Sequence, residues 1–112
     1  MVHNLSQNNS ILNQFIAELR DVEKQKDSMR FRRNLERLGE IFAYEISKTL
    51  PFEEVQTTTP LAIADTKILA EQPVVATILR AGLPLHSGLL NYFDRAENAF
   101  ISAYRKHHKN NT

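Results

Sequence analysis

The chain has 112 residues, enough for one domain with a moderate core. It is 42% hydrophobic and 24% charged, a globular balance, and its net charge of +1 gives no global field to draw in nucleic acid or an anionic membrane. The absence of cysteine excludes a disulfide framework and a thiolate metal site, and fits a reducing cytoplasm.

The opening, MVHNLSQNNS, is polar and lacks the basic-then-apolar order of a signal peptide. No apolar run approaches the roughly 18–20 residues needed to span a bilayer. A soluble, cytoplasmic protein is expected. Asn9 or Ser10 can cap a first helix, in which Ile11 or Leu12, Phe15 or Ile16, Leu19 and Val22 fall at three-to-four spacing. After the polar link VEKQKD, Asp27 or Ser28 can cap a longer helix that Pro51 ends. Its apolar stripe is Phe31, Leu35, Leu38, Phe42 and Ile46. Arg33–Glu36, Arg32–Glu36 and Arg37–Glu40 pairs are expected on the outer face, and Gly39 points to close packing against a neighbour.

From Phe52 to Gln72 the chain is rich in Thr and Val. Two short strands are predicted, roughly 54–59 and 61–64, turning near Thr59-Pro60. The Thr-rich half buries little, so this hairpin should project and pack on something else. ADTKILAEQ reads as a short helical or irregular link. Val74–Leu79 then reads as a buried strand, Pro84 suits a first helical turn, and 99–104 reads as another strand. Strand, short helix and strand, with nearly continuous apolar strands, make a parallel βαβ unit. The fold class is therefore α/β, a parallel sheet with flanking helices and a projecting β-arm: helices over about 9–50, the arm at 54–64 and the βαβ unit at 74–105.

Ligands of an open parallel sheet bind beyond the carboxyl ends of its strands. Arg80 stands at that end of the first βαβ strand and Arg105 at that end of the second. Between them come Ala81 and Gly82, where the backbone can turn closely, and a helix N-terminus with its free N–H groups and positive dipole end. Two guanidinium forks and a helix N-terminus suit a polyanion, phosphate or pyrophosphate. The competing reading is a surface salt bridge or a side chain reaching to water. Neither GxxxxGK[ST] nor GxGxxG occurs, so Walker-type and dinucleotide sites are unsupported.

ILRAGLPLHSGLL, with AYRKH about twenty residues later, closely resembles the uracil phosphoribosyltransferase family. RFRRNLERLGEIFAYEISKTL resembles that family's second helix, and the Thr-rich hairpin falls where these enzymes carry a dimerisation arm. The resemblance runs over residues 27–109. It implies the first half of a type I phosphoribosyltransferase fold, with Arg80, Ala81, Gly82 and Arg105 binding the pyrophosphate of phosphoribosyl pyrophosphate (PRPP). It further implies transfer of phosphoribose to uracil, giving UMP and pyrophosphate in pyrimidine salvage. Mg2+ bound with PRPP and a homodimer or higher oligomer are implied too. Pro84 departs from the family's usual glycine. The acidic Gly/Thr-rich PRPP loop and the uracil-reading segment would lie beyond Thr112, so the chain resembles the first half of the enzyme and is expected to be inactive alone. A truncated, non-catalytic dimerisation or interaction module and a phosphoribosyltransferase for another base are the alternatives.

Other motifs carry less. His107 and His108 are adjacent and would point to opposite faces of a strand, while His3 and His86 are distant in sequence, so no protein metal site is expected. His86 reads as solvent-facing or at the core edge. RFRRNLER reads as a solvated helix face, since Phe31 belongs to the stripe and glutamates stand near the arginines. Glu53 and Glu54 are neighbours, a poor arrangement for a paired acid and base.

Overall fold

The computed structural model describes residues 2–102. Two helices open the fold. α1, Ile11–Arg20, is capped by the Ser10 hydroxyl, which accepts from the Leu12 N–H at 3.2 Å. α2, Ser28–Ser47, is capped by Asp27, whose Oδ1 accepts from the Arg30 N–H at 3.1 Å. Each cap satisfies one of the free donors that begin a helix. α2 stops at Ser47, and turn residues run on to Leu50, just before Pro51.

The buried face of α2 differs from the expected stripe. Asn34, Leu38, Gly39 and Ala43 are buried, while Phe31 and Ile46 are 37% and 43% exposed. The closest neighbour sets that face. α3, Leu83–Tyr92, lies against α2 with Gly88 on Gly39, so the side with the smallest residues turns inward. A Cβ built on Gly39 would meet the Leu85 carbonyl oxygen and come within 3.0 Å of the Gly88 Cα. The close packing expected at Gly39 is therefore found.

β1, Phe52–Thr58, and β2, Ile63–Leu69, form an antiparallel hairpin in which Phe52 faces Leu69 and Thr58 faces Ile63. The hairpin is longer than the expected 54–64, and the stretch read as a link is its second strand. The reason is physical: Val55 is the only half-buried residue of β1, and only Ala64, Thr66 and Leu69 are half-buried in β2. With so little burial on either face, period-two alternation is weak. No other described element makes more than marginal contact with the hairpin, and the fold extends over 69 × 32 × 30 Å.

β3, Val74–Leu79, and β4, Glu97–Ser102, pair in parallel, Val74 with Glu97 through Leu79 with Ser102, with α3 as the crossover. β4 begins two residues before the expected start, and its expected end lies outside the described residues. The expected buried strand is buried on one face only. Val75 is buried at 6% exposure, but Val74 and Ile78 are 63% and 58% exposed. Val75, Thr77 and Leu79 share the face under α3, and the opposite face has no covering layer among the described residues.

Candidate pyrophosphate site

Arg80 follows β3 at its carboxyl end and is exposed. A guanidinium there stays hydrated, so the core strand can end in a cation without burying unpaired charge. Among the described residues it makes no ion pair, which leaves the salt-bridge reading without an acidic partner there. The loop behind it is tightly drawn. The Leu79–Arg80 peptide is cis, the Gly82 N–H donates to the Ile78 carbonyl at 3.2 Å, and the Leu83 N–H donates to the Arg80 carbonyl at 3.1 Å.

Gly82 is required here for space rather than for a left-handed backbone. Its φ is −78°, but a Cβ would strike the Thr77 hydroxyl oxygen and lie 2.9 Å from the Ile78 carbonyl. Gly82 also sits at the N-cap of α3 and has no side chain to cap it. The expected supply of free N–H groups is smaller than the sequence implied. Those of Gly82 and Leu83 are used inside the loop, and Pro84 has none. What α3 offers an anion is chiefly the positive end of its dipole. Ala81 is exposed beside Arg80. Arg105, the second expected arginine, lies outside the described residues.

His86, one turn into α3, takes the core-edge position and not the solvent-facing one: it is 4% exposed. Its Nε2 lies 2.7 Å from the Oδ1 of Asn98 on β4, and its ring stands 4.9 Å from that of Phe100. A polar residue within an apolar helix is the one trace of this pairing in the sequence.

The arginines of α2 are only partly arranged as expected. Arg33 pairs with Glu36 at 2.8 Å. Arg37 instead donates to Asn34 Oδ1 at 2.9 Å and lies 5.2 Å from the Phe15 ring centroid. Glu40 accepts from the Asn91 side chain at 2.7 Å. Arg32 and Arg33 are exposed, as a solvated face requires, and border an open cleft of about 330 Å³ with Leu83, Pro84 and Ser87 of α3. A roomier cleft, about 760 Å³, lies between the N-terminal segment, α1 and α2, and takes no residue from β3, β4 or α3.

A parallel βαβ unit with flanking helices, a separate hairpin and an arginine loop at the strand end has the architecture of a phosphoribosyltransferase-like α/β fold. The solved structure of the AQ2163 protein from Aquifex aeolicus shares it, with a TM-score of 0.75 and 26% identity over 89% of this chain and 47% of that one. The sequence profile described as Uracil phosphoribosyltransferase matches residues 6–112, and the chain belongs to that family. It is similar to the uracil phosphoribosyltransferase of Porphyromonas gingivalis, 55% identical over 95% of this chain and 49% of the relative. It is also similar to that of Pyrococcus furiosus, 38% identical over 82% of this chain and 40% of the relative. The chain spans about half the length of the curated relatives it matches.

Proposed function

We propose that this chain supplies the pyrophosphate side of a uracil phosphoribosyltransferase, which transfers phosphoribose from PRPP to N1 of uracil and gives UMP and pyrophosphate. The observation that carries this reading is the exposed Arg80 on a loop drawn tight at Gly82, at the carboxyl end of a parallel strand, in a chain of this family. The C1–O bond of PRPP breaks with little covalent help, leaving an oxocarbenium-like ribose and a heavily charged pyrophosphate. Guanidinium groups aimed at that leaving group stabilise the charge as it develops. Arg80 and Arg105 take this role, and the Ala81–Gly82 backbone and the α3 dipole stand beside Arg80.

Among the described residues no three His, Cys, Asp or Glu side chains stand together. On this reading a divalent ion is carried by the oxygens of PRPP. Magnesium bound in that way would neutralise part of the pyrophosphate charge. The ribose-phosphate and uracil contacts belong to the remaining half that the relatives' length implies, and this chain joined to that half is the full-length protein. The hairpin β1–β2 serves as a dimerisation arm. No helix among the described residues is long and apolar enough to cross a membrane, and the reading places the protein in cytoplasmic pyrimidine salvage.

Steady-state kinetics on the full-length protein test the site. Arg80→Ala or Arg105→Ala should lower kcat/KM for PRPP by about 30- to 1,000-fold, roughly 2–4 kcal/mol of transition-state stabilisation. Lysine should rescue only part of this, because it offers a point charge without the fork. The KM for uracil should change far less. Lys26, paired with Glu23 on an exposed turn, is the control. Arginine variants that behave like Lys26→Ala would mean that both arginines are surface residues.

A further inference from the structure

α3 has leucines at 83, 85, 89 and 90, spread around its ten residues, so burial alone specifies its rotation poorly. It packs on α2 through the facing glycines Gly88 and Gly39, with one side-chain bond across that contact, from Asn91 to Glu40 at 2.7 Å. Direction toward β4 comes from His86. Asn98 Oδ1 can only accept, so in this arrangement Nε2 carries the proton and donates across 2.7 Å. The backbone N–H of the same residue donates to the Gly82 carbonyl at 2.9 Å. One residue therefore grips the end of the Arg80 loop through its backbone and β4 through its side chain. Leu79, just before Arg80, pairs with Ser102 of the strand that leads on to Arg105.

Resting on the pyrophosphate reading above, the geometry points to His86 as a positioning residue for that site. Its hydrogen bond to Asn98 sets the loop Arg80–Gly82 against β4 and so fixes where Arg80 meets the anion. A methionine at 86 would fill the same space but supply no direction. Turning or sliding α3 away from Asn98 would strip a buried imidazole of this bond, and its Nδ1 has no partner among the described residues.

The test measures PRPP and uracil kinetics and thermal midpoints of the full-length protein carrying His86→Met, His86→Gln, Asn98→Leu and the Met/Leu double substitution, with Arg80→Ala in parallel. Glutamine keeps an N–H donor near the Nε2 position. His86→Met should raise the KM for PRPP about five- to tenfold, with the uracil KM within about twofold. Glutamine should return most of that loss, and the double variant should be little worse than either single one. If His86→Met proves insoluble, Asn98→Leu reads the same bond from β4. A lowered midpoint with unchanged PRPP kinetics, equal shifts in both KM values, or no rescue by glutamine would overturn the inference. If Arg80→Ala raises the PRPP KM and His86→Met does not, this inference alone fails. If Arg80→Ala leaves PRPP binding intact, the pyrophosphate reading fails and this inference with it.

Discussion

Asn34 is 1% exposed in the middle of α2, and its side chain holds α1 in place. Its amide donates to Glu18 Oε1 at 3.1 Å, and Arg30 donates to the same oxygen at 3.2 Å. These two hydrogen bonds, the Asn34 one foremost, hold the Glu18 carboxyl below its ordinary value of 4.5. A carboxylate lowered by folding adds stability above its ordinary pKa and loses it as the pH falls through the lowered folded value. Glu18→Gln should therefore lower the thermal midpoint at pH 7, and the gap to the parent should shrink as the pH drops below about 4.5. A gap that stays constant down to pH 3 would show that the charge contributes nothing. Arg80 was legible in the sequence because a cation directly after an apolar run interrupts a pattern. Asn34 was not, because an asparagine between arginines on a charged helix looks like any solvated residue, and its partner lies sixteen positions away.

The helices and the βαβ crossover could be read from spacing, and each cap to within two adjacent residues, since burial on one side writes a 3.6-residue period and apolar strands bracket a short helix. The second hairpin strand could not, because Ile63, Asp65 and Lys67 are exposed on one face while Thr66 and Ala64 are only half-buried on the other. The rotation of α2 was legible only in part: Gly39 pointed to a close neighbour, but a glycine contributes nothing to a hydrophobic stripe, so the stripe set Phe31 and Ile46 inward where they are partly exposed. A Cβ on Gly88 would strike the Glu36 carbonyl oxygen and lie 2.9 Å from the Gly39 Cα. Those are backbone atoms, so the helices themselves must move. Gly88→Ala should destabilise the full-length protein by about 1–3 kcal/mol in denaturant unfolding. An unchanged midpoint would mean that the two helices have room there.

At the scale of the molecule, two apolar surfaces stand exposed among the described residues. The outer face of the βαβ sheet leaves Val74, Ile78 and Ile101 at 63%, 58% and 57% exposure, and parallel sheets are normally covered on both faces. The hairpin stands apart with Phe52, Ile63 and Ile68 exposed, and a lone two-stranded hairpin is marginal in water. Deleting residues 52–69 from the full-length protein should shift its sedimentation toward monomer, and an unchanged assembly would count against the arm. The open sheet face also predicts that the 112-residue chain by itself associates at working concentration. The most direct test of the account is UMP formation from labelled uracil and PRPP, followed in parallel for the full-length protein and for this chain alone. The full-length protein should release one pyrophosphate for each UMP formed, and the chain alone should form none. Turnover by the chain alone, or a full-length protein that makes no UMP, would contradict it.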